Sequence, residues 1–87
     1  MNEMYIVSFI STHHAIRSDK LFSESGIKST TLPTPREITA SCGISIRFSY
    51  EDIDRVVEIL EVNSIEYKGI YNINRLENGS KEVKKIG

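Results

Sequence analysis

The sequence predicts a single α+β domain, a ferredoxin-like split βαβ sandwich with the element order βαββαβ. The chain has 87 residues, which allows one domain, and short β-rich runs alternate along it with two helical stretches. Two strand–helix–strand halves of this kind form a four-stranded antiparallel sheet with both helices on one face. We assign residues 1–74 to this domain and residues 75–87 to a charged C-terminal tail or short hairpin.

The first half begins with a strand over Met4–Ile10, a short run of β-branched and aromatic residues. Ser11 and Thr12 follow as candidate N-caps, because their side-chain oxygens can accept hydrogen bonds from the free amides of a helix start. The helix is expected over His13–Ser25, which contains no glycine or proline and stops before a glycine. Ile27–Leu32 is typical of a second strand, of mixed polarity and near a sheet edge.

The second half carries the clearest periodicity. Ile44–Phe48 alternates strictly and predicts a strand with one wet face. The segment from Ser49 to Asp52 resembles a capping box. Apolar residues then recur at helical spacing, at Ile53, Val56, Val57 and Leu60. Alternation resumes over Ile65–Ile73 and places four residues on one side: Ile65, Tyr67, Gly69 and Tyr71.

Charge and composition exclude several partners. The formal net charge is −1, and residues 1–74 hold 7 basic and 10 acidic side chains, which gives a net charge of −3 for the predicted domain. A nucleic-acid binder needs a basic excess, and no basic-aromatic segment of an RNA-binding sheet is present, so we expect no nucleic acid as a partner. No apolar run approaches the length of a membrane span, and the N-terminal residues lack the basic start of an export signal. With its lone cysteine, the protein is expected in the reducing cytoplasm.

Cys42 is the first candidate for chemistry. It lies between Ser41 and Gly43, and a glycine there leaves room for a partner molecule to approach the sulfur. Arg36 and nearby amides are candidates to stabilise the thiolate, which is the nucleophilic form. The alternative is an inert cysteine that packs as a small hydrophobic residue.

Two further segments accompany the cysteine. His13 and its neighbour His14 lie at the start of the first helix, where adjacent side chains point too far apart to chelate one metal, so the bland interpretation is a pair of exposed histidines. Pro33 and Pro35 stiffen the loop before Arg36, which suits a binding site and equally suits an ordinary connector. No phosphate loop, catalytic triad or paired metal carboxylates occur, so we expect a carrier or binding protein without cofactor or metal rather than an enzyme.

The loop sequence PTPREITASCG, together with STHHA at the first strand–helix junction, resembles a family of small bacterial and archaeal proteins labelled sulfur/selenium carrier protein-like. The resemblance spans about Met4 to Ile73. It implies that a protein donor and a protein acceptor exchange sulfur or selenium through this chain. It also implies a set of functional residues, with Cys42 as the reactive one and the binding residues Ser11, Thr12, His13, Pro35, Arg36, Ser41 and Gly43.

The carrier hypothesis is that Cys42 holds the transferred atom as a persulfide or selenopersulfide. The main alternative is a non-catalytic small-ligand or protein-interaction module that uses the same loop, and a third is an adaptor that dimerises through a sheet edge. The topology predicts that the segment Ser11–His13 and the pair Cys42–Gly43 meet at one end of the sheet, where the first strand ends and the third begins. A homodimer is also expected, because aromatic residues such as Phe48, Tyr67 and Tyr71 are candidates for an open sheet face that a second copy would cover.

Overall fold

In a computed structural model of the chain, residues 3–35, 38 and 43–87 are described. Their order is strand, helix, two strands, helix and two strands. The first helix, α1, covers Thr12–Glu24, and the second, α2, covers Ile53–Val62. The strands are β1 at Glu3–Phe9, β2 at Ser29–Pro33, β3 at Ile44–Phe48, β4 at Tyr67–Arg75 and β5 at Lys81–Lys85.

All neighbouring strands of the sheet are antiparallel, and their order is β2-β3-β1-β4-β5. The α+β class and the two helices are as predicted. The expected count of four strands is wrong, because Lys81–Lys85 pairs with β4 as a fifth strand. This strand was not predicted because its charged residues show no apolar alternation, and a strand at a sheet edge needs little apolar surface.

One face of the sheet is covered by both helices. Apolar residues of both helices and of the three central strands form one buried cluster there, which includes Val7, Phe9, Phe22, Ile46, Val56, Leu60 and Ile70. The stripe predicted on the second helix packs against this cluster, with Val56 and Leu60 fully buried and Ile53 and Val57 partly buried. Phe48 also belongs to this cluster, so the expectation that it lies on an open sheet face is wrong.

The helix ends differ in how they are capped. Ser11 has extended backbone angles and accepts a hydrogen bond from the His14 N–H, so α1 begins with the predicted serine cap. The capping box predicted at Ser49 is wrong, because that side chain makes no capping bond and a short 3₁₀ helix over Tyr50–Asp52 precedes α2. The 3₁₀ turn is closed instead by the backbone, with the Asp52 N–H donating to the Ser49 carbonyl.

The opposite face of the sheet, which we call the open face, carries a smaller apolar cluster. Ile6 of β1 and Ile73 of β4 are buried there beneath Ile38, which comes from the loop between β2 and β3. Val83 of β5 and Tyr71 of β4 pack against the edge of this cluster. The loop is therefore anchored on the side of the sheet that the helices leave uncovered.

A bulge in β4 changes which residues share the open face. Phe9 pairs with Tyr67 while Ser8 pairs with Gly69, so Lys68 is an extra residue in the ladder. Tyr67 consequently packs with the helix-side cluster, and Tyr71 lies on the open face. The expectation that four alternating residues of this segment share one side is wrong for this reason.

Candidate functional site

The candidate site lies at the end of the sheet where β1 turns into α1 and where β3 begins. β1 and β3 are antiparallel with Ser8 opposite Ser45, so the last residue of β1 and the first residue of β3 lie at the same end. Ser11 follows the first of these strands, and Gly43 precedes the second. The topology thus brings Ser11 and Gly43 to one end of the sheet, as predicted, while Cys42 lies outside the described residues.

The helix start presents a mixture of capping and exposed groups. Ser11 caps the helix with its side chain, and its carbonyl also accepts a hydrogen bond from the Ala15 N–H at 3.2 Å. Thr12 and His13 are exposed on the first turn. The His14 ring is partly buried, and its Nδ1 has no partner among the residues that the structure describes. Of the two histidines, His13 therefore faces solvent and is the accessible one.

The loop between β2 and β3 is described at both of its ends. Its first part turns back, since the Ile38 N–H donates to the Pro35 carbonyl at 3.1 Å. At its far end the Gly43 carbonyl accepts a bond from the Thr34 N–H at 2.9 Å, which extends the β2–β3 ladder by one pair. Three of the predicted functional residues lie outside the described part of the chain, namely Arg36, Ser41 and Cys42.

Gly43 occupies open space. A methyl group built on its Cα meets no described atom within 4 Å, and its backbone is not left-handed. Neither strain nor contact with the described residues therefore requires a glycine at this position.

A row of small residues that the sequence pattern did not predict crosses the open face. Ser45 of β3 and Gly69 of β4 flank Ser8 of β1 in the strand pairing. The hydroxyl of Ser45 shares a 2.8 Å hydrogen bond with that of Thr34, at the base of the loop. Ser8 is fully buried, and within the described residues its hydroxyl has no partner. We call Thr34, Ser45 and Ser8 the hydroxyl row.

The signal for the hydroxyl row is visible in the sequence once the register is known. Ser8 interrupts the run of apolar and aromatic residues from Met4 to Ile10, and Ser45 lies between the apolar residues Ile44 and Ile46. Alternation places each serine on one face, but only the pairing of the two strands puts them side by side. Register, which depends on tertiary contacts, was the missing information.

A groove of about 420 Å³ runs beside the same end of the sheet. On the helix side it is lined by Ala15 and Ile16, and on the strand side by Thr31, Leu32, Pro33, Gly43 and Ile44. Asp19 contributes the charged group in this lining. The groove therefore joins the start of α1, the edge strand β2 and the end of the loop.

Comparison with known protein families places both helices and most of the first four strands within one family. A family model for proteins described as "Putative Se/S carrier protein-like" matches residues 4–72. This range begins in β1, ends in β4 and includes the whole loop between β2 and β3. The chain belongs to this family. No curated protein and no solved structure matched the chain.

The family match excludes β5, which lies beyond its last residue. Yet β5 adds positive charge to the open face, because its pairing with β4 places Lys81 and Lys85 on the same side as Arg75. Arg47 of β3 lies on that face as well, opposite Ile6. No acidic residue occupies an open-face strand position among the described residues, so the face is cationic. α2 is acidic by contrast, with Asp54, Glu58 and Glu61 on its exposed surface.

In this member of the carrier-like family, neither described helix has the length and apolar character needed to cross a bilayer. Within the described ranges no three His, Cys, Asp or Glu side chains are grouped in a way that would hold a metal ion. The described part of the site therefore consists of hydroxyls, a helix start and an open glycine, with the Lys85 side chain over Gly69 beside them.

Proposed function

We propose that this protein carries one sulfur or selenium atom on Cys42, between a donor protein and an acceptor protein. Membership of the carrier-like family is the observation that carries this proposal, because the matched range includes the chain's lone cysteine. Sulfur and selenium are both held covalently by a thiolate in the simplest carrier chemistry. With one cysteine in the chain, a thiol carrier has no other residue to use.

The transfer step needs no oxidant beyond the donor itself. The Cys42 thiolate attacks the terminal sulfur of a donor persulfide, the new S–S bond forms on Cys42, and the donor cysteine leaves as a thiolate. The terminal atom is passed to an acceptor thiolate by the same exchange in reverse. Selenium follows the same course when the donor holds it as a selenopersulfide.

The described surroundings support this chemistry in two ways. The open space at Gly43 admits a donor's reacting atom beside position 42. The start of α1 lies at the same end of the sheet, and the Lys85 side chain lies over Gly69 beside Ser8 on the open face, so both favour an anionic sulfur over a neutral thiol. We assign supporting binding roles to the remaining sequence-predicted residues, Ser11, Thr12, His13, Pro35, Arg36, Ser41 and Gly43.

The fold and the compartment complete the proposal. We interpret β2-β3-β1-β4 with the two helices as a ferredoxin-like unit that β5 extends at one edge. A reducing cytoplasm would keep the thiol free between transfers. The chemistry proposed at Cys42 depends neither on this description of the fold nor on the compartment, and it can be tested directly.

Mass spectrometry of the loaded protein tests the carrier function. The full chain is incubated with a low-molecular-weight persulfide, or with its selenium analogue, and the product is digested without reductant. We expect the mass of one sulfur or selenium atom on the peptide that contains Cys42, and we expect a thiol reductant to remove it. Cys42→Ser is the control for the position of the atom.

Alkylation over a range of pH gives a second reading. We expect the native thiol to react at lower pH than an unfolded reference with a pKa of about 8.5. Gly43→Ala keeps the thiol but fills the adjacent space, so it should load more slowly while unfolding at the same denaturant concentration. A thiol that is alkylated only after unfolding would contradict the carrier function and favour the non-catalytic interaction module.

A further inference from the structure

The two edges of the sheet differ sharply in charge. β5 at one edge has the sequence KEVKK, in which every residue but Val83 is charged. β2 at the other edge has the sequence STTLP and carries no charge. Charged residues, and lysine above all, prevent an edge strand from pairing with another chain. β2 is therefore the edge that remains able to accept a further strand.

The hydrogen bond at the end of β2 fixes which backbone groups are available. The Thr34 N–H donates to the Gly43 carbonyl, so this pair is a hydrogen-bonded one, and the alternation of an antiparallel ladder makes Leu32 and Thr30 the next residues bonded to β3. The backbone groups of Ser29, Thr31 and Pro33 consequently point away from the sheet. Pro33 offers only its carbonyl, because proline has no N–H.

We propose that β2 pairs antiparallel with β2 of a second copy, about a two-fold axis that passes through Thr31. In this register each Thr31 N–H donates a hydrogen bond to the Thr31 carbonyl of the other copy. Each Ser29 N–H meets the carbonyl of the other copy's Pro33. The missing N–H of Pro33 thus falls at the end of the paired segment, where its loss costs least.

The surface beside β2 favours a second copy as the occupant. Ile16 of α1 lines the groove next to the edge and is 64% exposed, although it is a large apolar residue. Pairing of the two β2 strands makes one continuous sheet, and both α1 helices then lie on the same side of it, next to each other across the axis. The exposed Ile16 side chains are covered by this arrangement. Thr31 also meets its own counterpart, and threonine pairs opposite each other stabilise a sheet.

The same register brings a cation to the hydroxyl row. Lys28 precedes β2. Because Thr31 is paired with itself, residues equally far before and after it are paired across the axis, so Lys28 lies opposite Thr34 of the other copy. Thr34 lies on the open face, where its hydroxyl bonds to Ser45. Residues directly opposite each other have Cβ atoms roughly 4.5–5.5 Å apart, well within the reach of a lysine. Each copy therefore supplies Lys28 to the hydroxyl row of the other.

Sedimentation velocity of the full chain tests the dimer, with a charge swap at position 31. The axis places position 31 opposite itself, so Thr31→Lys and Thr31→Glu each repel their own copies and should sediment as monomers. An equal mixture of the two variants should dimerise again. Lys81→Glu on the β5 edge is the matched control and should remain as dimeric as the unchanged protein.

Three results would overturn the proposed interface. The first is an unchanged protein that stays monomeric at high micromolar concentration. The second is dimerisation of the two position-31 variants by themselves, which would place the interface elsewhere. The third is a mixture of the two variants that fails to associate, although each variant retains its circular dichroism spectrum. This result would exclude the two-fold register, or would indicate that β2 pairs with an extended segment of another protein.

The role of Lys28 rests on the proposed function and has its own test. Lys28→Gln should remain dimeric but react with an alkylating agent at Cys42 about threefold more slowly near neutral pH, the effect of removing one nearby positive charge. Mixing Lys28→Gln with Cys42→Ser should restore the rate in the mixed dimer, because the Cys42→Ser copy supplies the lysine. An unrestored rate in that mixture would contradict a role between copies. An unreactive thiol in the unchanged protein would instead remove the carrier function and leave the dimer standing.

Discussion

The two faces of the sheet are closed in different ways. Both helices cover one face with a continuous apolar cluster, in which Phe9, Phe22 and Leu60 are fully buried. The open face has a smaller cluster under Ile38 and, beside it, the hydroxyl row. Large apolar side chains give the first face its contribution to stability, whereas the second face holds polar groups whose burial costs free energy unless they find partners. The helix-covered side also buries a hydroxyl without a described partner, that of Ser18, so the two faces differ mainly in the size of their apolar clusters.

The largest effect is expected on the helix-covered face. Leu60→Ala should lower the free energy of unfolding by about 2–4 kcal/mol, because it removes buried methyl groups and leaves a cavity. The measurement is equilibrium unfolding in urea. Val62→Ala is the matched control two residues along the same helix, where the side chain is 75% exposed, and it should change stability by less than about 0.5 kcal/mol. Similar losses for the two variants would mean that α2 does not pack as described.

A smaller loss should follow from the open face. Ile38→Ala removes the side chain that covers Ile6 and Ile73, and we expect a loss of about 2 kcal/mol, at the low end for a buried isoleucine because a loop can settle into the space. Leu76→Ala, in the β4–β5 turn and partly exposed, is the control and should cost much less. If Ile38→Ala cost as much as Leu60→Ala, the open face would be a second core of equal weight.

The smallest effects separate the two serines of the hydroxyl row. Ser45→Ala breaks the hydrogen bond to Thr34 and should lower stability by about 1 kcal/mol. Ser8→Ala removes a buried hydroxyl that has no described partner, so stability should stay the same or rise slightly. The comparison uses urea unfolding together with loading of Cys42. A loss of loading in Ser8→Ala without a loss of stability would connect this hydroxyl to the site, and a loss of stability larger than that of Ser45→Ala would contradict its lack of a partner.

The local elements of the fold were predictable because their causes are local. The β3 strand has the predicted limits, since strict alternation over Ile44–Phe48 depends only on which side chains face the core. The helical stripe that ends at Leu60 was predicted for the same reason. Element ends were less predictable: Pro33 pairs within β2 although prolines suggested that the ladder ends before it. An edge strand tolerates proline, because one of its sides needs no N–H donor.

The candidate site was predictable in its position but not in its neighbours. The order of elements places Ser11 and Gly43 at one end of the sheet, and this follows from the chain direction of adjacent antiparallel strands. Ser8, Ser45 and Thr34 were not predicted as neighbours, because they belong to three strands that are far apart in the sequence. Their proximity depends on a register that no single strand contains.

The sequence by itself determined the class of the fold, the helix-covered core and the presence of a single cysteine. These follow from periodicity and residue type, which act over a few residues. Only the tertiary structure decided the bulge that turns Tyr67 toward the helices, the charged fifth strand and the uncharged free edge at β2. Each of these depends on which strand lies beside which, and strand pairing is settled by contacts between distant segments when the whole sheet forms.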